Sequence, residues 1–333
     1  MDVVAEVVRS GFVESRHRGV AVRLGADGQI AWSLGDPSTV VFPRSCNKPI
    51  QALAMLRAGL PLDGELLALA MASHSGEAFH LAGVRAILAE AGLDESALQT
   101  PPSYPMDPHE HADLLRAGGP RAPIHMDCSG KHAAMLLTCV VNGWPTDTYL
   151  APQHPLQVAI GEVFAELTGA VPAAVGVDGC GAPLLGCALT DLARAVGAIR
   201  RGHAGVIRGG GAGVVRGGGA GVVRGGDAGA ASDRLVAAWL AHPDHVSGTR
   251  RAERALMAAV PGLVAKSGAE SVYVVALEDG SSAAVKIEDG GERPLHAVMG
   301  RVLELAGVDA AIVRERPVVL GAGEPVGEVR TSF

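Results

Sequence analysis

Aromatic side chains are scarce: three tryptophans, three tyrosines and five phenylalanines make up 3% of the 333 residues. The core must therefore be packed by Ala, Val, Leu and Gly, which suits closely approaching helices and a sheet better than an aromatic-anchored sandwich. Runs of Lys and Arg are missing and the net charge is -7, so the electrostatic footprint of a nucleic-acid binder is lacking. No stretch approaches the roughly 18 uninterrupted apolar residues of a membrane span. The apolar run 133–141, for example, stops at Asn142 and Gly143. The first residues, Met1-Asp2-Val3-Val4-Ala5-Glu6, lack the basic and apolar regions of a secretory signal, and the expected address is the cytoplasm. Five cysteines (Cys46, Cys128, Cys139, Cys180, Cys187) are odd in number and widely spread, which argues against a disulfide framework. They are core thiols or site residues.

What is present is a 48% hydrophobic chain, long enough to bury a large core as one domain over 1–333. Strand patterns occupy 3–8, 20–23 and 30–33, the last two joined by a Gly-rich hairpin signal at 25–28. Helical spacing follows: Ile50, Leu53, Ala54, Leu56 and Leu60, then 65–72, 82–91 and 132–142. Pro155 opens a helix to 168, and Pro183 is read as opening another to 198. Residues 204–227 carry an eight-residue repeat, AGVIRGGG, AGVVRGGG, AGVVRGGD, too Gly-rich and too short for a solenoid and without a phosphate-loop pattern. It reads as a flexible insertion over 204–229, with an interaction role for Arg208, Arg216 and Arg224 as the lesser alternative. Helices are expected at 232–241, 253–260 and 295–306, and strands at 272–277, 283–287 and 326–329. With strands at both ends and helices between, the layout is α+β, a sheet of N- and C-terminal strands beside a helical block.

Five polar clusters carry the chemistry. In Arg44-Ser45-Cys46-Asn47-Lys48-Pro49, a Ser-x-x-Lys stands where strand and loop give way to a helix, so hydroxyl and amine share a face. An amine with an ordinary pKa of about 10.4 must be desolvated or placed near another cation to act as a base. An N-cap serine with a surface lysine is the bland alternative. Lys266-Ser267-Gly268 lies just before a strand and offers a cation, a hydroxyl and a small residue. Together the two reproduce, in order, the paired elements of penicillin-recognising acyl hydrolases and serine-type glutaminases. Ser73-His74-Ser75-Gly76-Glu77 breaks off an apolar helix, as a site segment or as a C-terminal cap at Gly76. Asp127-Cys128-Ser129-Gly130-Lys131-His132 and Asp178-Gly179-Cys180-Gly181 each place a thiol at a tight turn. These thiols, with Lys131 or His132, form either a borderline-metal site or a buried pair.

With these clusters in this order, the sequence resembles the asparaginase II family, the bacterial and plant-symbiont-type L-asparaginases. The match includes Val7-Val8-Arg9-Ser10-Gly11, Lys48-Pro49-Ile50-Gln51, His242-Pro243, Gly248 and Arg251, and covers nearly the whole chain except the glycine repeat. The resemblance implies a fold similar to serine β-lactamases and glutaminases and hydrolysis of L-asparagine to L-aspartate and ammonia. It implies Ser45 as nucleophile with Lys48 as its partner, and a second pair of Ser73 (or Ser75) with Lys266. It further implies Arg44, His132 and Asp178, with Ser75, around the substrate, a zinc site of Cys128, Lys131 and Cys180, and a homodimer. A glutaminase on the same scaffold, or a catalytically silent zinc-binding or interaction protein, are the competing readings.

Overall fold

A computed structural model describes residues 1–202, 225–308 and 317–333. Its architecture is α+β, with an eight-stranded sheet assembled from both ends of the chain. The N-terminal strands are β1 (Asp2–Arg9), β2 (Phe12–Leu24) and β3 (Ile30–Leu34). The C-terminal strands are β7 (Val264–Gly268), β8 (Val272–Ala276), β9 (Ser282–Ile287), β10 (Val318–Gly321) and β11 (Glu324–Thr331). They run in the order β10-β11-β1-β2-β9-β8-β7, all antiparallel neighbours, with β3 on the β1 edge of β2. A small second sheet joins β4 (Val40–Val41), β6 (Pro183–Ala188) and β5 (Ala174–Val177).

Between the two strand groups lie α1 (Lys48–Arg57), α2 (Gly64–Ala70), α3 (Ala78–Glu90), α4 (Pro108–Arg116), α5 (Ser129–Asn142), α6 (Pro155–Thr168) and α7 (Leu189–Arg200). After the repeat come α8 (Gly225–Ala241), α9 (Pro243–Val246), α10 (Ala252–Ala259) and α11 (Leu295–Glu304). The expected insertion lies outside the described residues from 203 to 224, together with Arg208, Arg216 and Arg224, while its last residues, 225–229, belong to α8.

The expected single helix over 183–198 is a strand followed by a helix. Pro183 pairs with Val177 at the start of β6, and the turn into α7 comes at Ala188. The apolar run Leu184-Leu185-Gly186-Cys187-Ala188 fits either state by pattern alone. By contrast, α6 has the expected span. Pro155 needs no N–H in the first turn, and Gly169 adopts φ 71° to close the last turn.

Period-2 alternation in the sheet decides which side chains reach the site. A Cβ on Gly197 of α7 would stand 2.6 Å from the Gly280 carbonyl and 3.0 Å from Ser282 Oγ, so α7 lies on the Ser282 face. Following the unshifted registers, Ala284, Val274, Lys266 and Gly268 share that face, under the helices. Tyr273, stacked edge-on against His296 of α11, marks the other face, where Ser267 points. The whole of β8 is buried, as expected for a strand covered on both sides.

Candidate active site

Ser45 follows the short β4 in a 3₁₀ turn, Arg44–Asn47, that runs directly into α1. To make this corner Arg44 takes φ 50°, a left-handed conformation that costs a non-glycine residue about 1–3 kcal/mol. The ion pair from Arg44 Nε to Asp178 Oδ1, 2.7 Å long, holds it there. Pro49 lies in the first turn of α1, where its missing N–H costs nothing, and the helix is buried from Lys48 to Leu56. Beneath the turn is β7. A Cβ on Gly268 would meet the Pro43 carbonyl at 2.7 Å and Ser45 N at 3.1 Å, so only glycine lets the strand lie this close. The Cys46 thiol donates to the Lys266 carbonyl at 3.1 Å, which fastens the turn to the same strand; burial pushes this thiol up to about 12.

Three of the four expected catalytic groups meet at one atom. Ser73 Oγ lies 2.9 Å from Lys48 Nζ and 2.8 Å from Lys266 Nζ, all three buried. Its segment, between α2 and α3, is pinned by Ser73 N–H to Val246 O at 3.1 Å and His74 N–H to Asp127 O at 3.0 Å. Lys48 also donates to Ala72 O at 2.6 Å and Asp127 Oδ2 at 3.3 Å, and Lys266 to Ser267 O at 2.9 Å. Ser45 is the fourth group. Its hydroxyl is partly exposed, and among the described residues it has no hydrogen-bond partner, so the expected Ser45–Lys48 bond is replaced by Ser73–Lys48.

The two amines differ in how firmly they hold a proton. Burial is the largest influence on Lys48 and works against its cation, but the Asp127 carboxylate and Cys128 together leave Lys48 above its ordinary value. For Lys266, burial and then the neighbouring Lys48 charge bring it down to about 8. Asp127 is thus the carboxylate that contacts Lys48 and, among the described residues, does not contact Lys266. Nothing marked it in the sequence beyond its place beside Cys128. Glu253 also escaped notice: burial disfavours its charge, but Arg251 and Lys266 hold it at about 2, and it accepts a hydrogen bond from Ser267 behind β7.

Ser75 is not part of the lysine cluster. Its hydroxyl donates to Glu77 at 2.6 Å, and Glu77 also binds Thr249 N–H and Oγ1 at 2.9 and 2.6 Å. Gly248, at φ 142°, packs onto Ser75, where a Cβ would overlap its hydroxyl. Nor is Gly76 a helix cap: α2 ends at Ala70, and Gly76 gives room to Pro105.

At the N-terminus of α5 a second cluster forms. Lys131 Nζ donates to Cys180 Sγ at 3.2 Å, and the Cys128 thiol lies 3.6 Å from Asp127 Oδ2. The hydrogen bond from Cys128 raises that thiol well above its ordinary value and holds Cys180 far below, as a thiolate. His132, kept neutral by burial, bonds Tyr149 Oη through Nδ1 at 2.7 Å. Its Nε2 is buried with no hydrogen-bond partner among the described residues. Two sulfurs, an amine and an orphan imidazole nitrogen are donors whose chemistry suits zinc.

A cleft of about 140 Å³ lined by Arg250, Arg251, Glu253, Ser267, Glu292 and His296 opens on the other face of β7. Strand alternation separates it from Lys266, so it is not the space in front of Ser73.

The L-asparaginase II family model matches residues 5–331. None of the curated proteins is significantly similar in sequence. Among solved structures, Mglu in its tris and glutamate form is 14% identical over 91% of this chain, with a TM-score of 0.39. The chain spans 63% of that structure's length, less than two thirds. A Bacillus glutaminase in the presence of 4.3 M NaCl is 13% identical over 87% of this chain and 91% of its own, with a TM-score of 0.36.

Proposed function

Since the chain belongs to the L-asparaginase II family, we propose that it hydrolyses L-asparagine to L-aspartate and ammonia through an acyl-enzyme. Family membership makes it an amidohydrolase with a small-molecule substrate. The observation that supports the mechanism is the hydroxyl of Ser73 held between Lys48 and Lys266.

Ser45 is the nucleophile, since its hydroxyl stands at the start of the turn, partly exposed and committed to no other group. Lys48 becomes its base through a relay. The Lys48 ammonium gives a proton to Ser73 Oγ as the Ser73 hydroxyl gives its own to neutral Lys266, across two existing hydrogen bonds. Lys48, now neutral, accepts the Ser45 proton as Oγ bonds the side-chain amide carbon. Backbone N–H groups at the start of the turn stabilise the oxyanion. The C–N bond breaks with a proton returned to the leaving nitrogen, ammonia departs, and water hydrolyses the ester by the reverse relay. Arg44 and Asp178, side by side at this corner, are assigned to the carboxylate and ammonium of the amino acid. Cys128, Lys131 and Cys180 would hold zinc beside His132, and the ion would supply a fixed positive charge next to the substrate. Lys131 must shed its proton to serve as a donor, so acid would empty that site.

A second reading assigns the nucleophile to Ser73 itself, because it alone contacts both amines. Ammonia release from a panel of amides, combined with peptide mapping of the trapped aspartyl ester, tests both. Ser45→Ala is expected to lose roughly a thousandfold or more in activity toward asparagine, with the wild-type ester on Ser45. Activity surviving in that variant, or an ester on Ser73, removes Ser45 from the role. A preference for glutamine moves the substrate assignment, since one methylene is worth only about 1–3 kcal/mol. Inactivity toward every amide leaves the silent scaffold.

A further inference from the structure

His242-Pro243 is a sequence feature that the reaction does not use. Pro243 opens α9 and His242 is its N-cap, so His242 and His245, three residues apart, face the same way. Opposite them is the first turn of α2, which carries Glu65. One ligand atom from each of Glu65, His242 and His245 lies within 4.8 Å of the others, and Glu65 Oε2 is 3.7 Å from His245 Nε2. The His245 ring is fixed edge-on by Phe79 at 4.8 Å and by His80 at 6.1 Å, and meets the His242 ring at 5.8 Å. The Nε2 of His242 lies 3.5 Å from where a Cβ on residue 64 would stand, which places the imidazole against the first turn of α2. Among the described residues the His242 side chain makes neither a hydrogen bond nor an ion pair.

We propose that Glu65, His242 and His245 form a binding site for a divalent transition metal, zinc foremost, separate from the cluster at Cys128 and Cys180. Two imidazoles and one carboxylate are a borderline donor set that leaves room for water as the fourth ligand. Donors at about 2.0–2.2 Å from such an ion stand about 3.3 Å apart in a tetrahedron. The Glu65–His245 pair is close to that already, and the Glu65 side chain, 62% exposed, is free to swing in. The ion clamps α2 to α9. These are the two elements that deliver Ser73: its segment continues from α2, and its N–H bonds Val246 O at the end of α9. Occupancy therefore stiffens the Ser73 backbone from outside, with no contact to substrate.

Zinc titration of protein carrying Cys128→Ser and Cys180→Ser tests this directly. That protein is expected to bind one equivalent, lost when His242→Gln and His245→Gln are added; equal stoichiometry and affinity with and without the histidines would overturn the proposal. If the cysteine substitutions prevent folding, cobalt titration of the otherwise wild-type protein and of His242→Gln/His245→Gln decides. The equivalent lost must be the one without a thiolate-to-cobalt absorption band, and loss of the thiolate band or no loss at all refutes the site. Glu65→Gln alone should weaken the same equivalent while leaving the thiolate band intact, and unchanged affinity would also count against it.

Discussion

At the residue scale, the pair of lysines is unequal because, among the described residues, Lys48 touches a carboxylate directly and Lys266 does not. Asp127 lies 3.3 Å from Lys48 and favours its charge, while burial and then the Lys48 charge bring Lys266 down to about 8. The rate of amide hydrolysis is therefore expected to rise with pH through about 8 as neutral Lys266 accumulates, read as an ascending limb in kcat against pH. Stability follows the same direction. In the unfolded chain a lysine titrates near 10.4, so between about 8 and 10.4 the folded protein has shed a proton that the unfolded one keeps. Stability is thus expected to increase across this window by up to about 1.4 kcal/mol per pH unit, and Lys266→Met should flatten both profiles. Ser45, Lys48 and Lys266 stood out as candidates by spacing and order, whereas the pair of Ser73 (or Ser75) with Lys266 came only from the family resemblance. That Lys48 turns to Ser73 rather than to Ser45 depends on where the 71–77 segment crosses α1, which no local pattern encodes. Asp127 and Glu253 act through contacts across 79 and 14 residues of chain and left no signal of their own.

At the element scale, the site depends on one edge strand and one 3₁₀ turn touching backbone to backbone. Gly268→Ala inserts a methyl 2.7 Å from the Pro43 carbonyl, and the turn cannot yield without moving Ser45. Overpacking of this kind costs about 1–3 kcal/mol. Activity should fall far more than denaturant stability does, because the displaced group is the proposed nucleophile; a variant that loses stability but keeps its kcat would separate the contact from the chemistry. Elements with a punctuated start and end were legible, as α6 shows with Pro155 and Gly169. Those that fit two patterns were not. The run after Pro183 is as apolar as a helix interior, β7 carries Lys, Ser and Gly where a strand signal is weak, and the first half of β2, Phe12-Val13-Glu14-Ser15-Arg16-His17, is a largely exposed ribbon whose polar residues mask the alternation.

At the scale of the whole molecule, the sheet is closed by pairing across nearly the full length of the chain. Ala5 opposes Thr331 and Val7 opposes Val329, both valines fully buried. Contacts this distant in sequence are costly to form early in folding. Placing a charge there, as in Val329→Asp, should cost several kcal/mol and depress soluble yield, measured by urea denaturation and by the soluble fraction on expression. Substitutions at exposed Val175 or Val177 of the small sheet should do neither. Terminal strands around a helical middle were visible in the sequence, but their order was not, because strand order depends on crossovers rather than on composition.

Because β7 is the last strand of the sheet, among the described residues it pairs with one strand only, β8. Neighbouring residues on it alternate between an amine aimed at Ser73 and a hydroxyl aimed at Glu253. A slip of one position would exchange them, delivering Ser267 to the reaction and sending Lys266 to the rear. The Cys46 thiol on the Lys266 carbonyl and the bare Gly268 beneath Pro43 act as a latch against that shift, so the proposed site depends on the phase of a single strand.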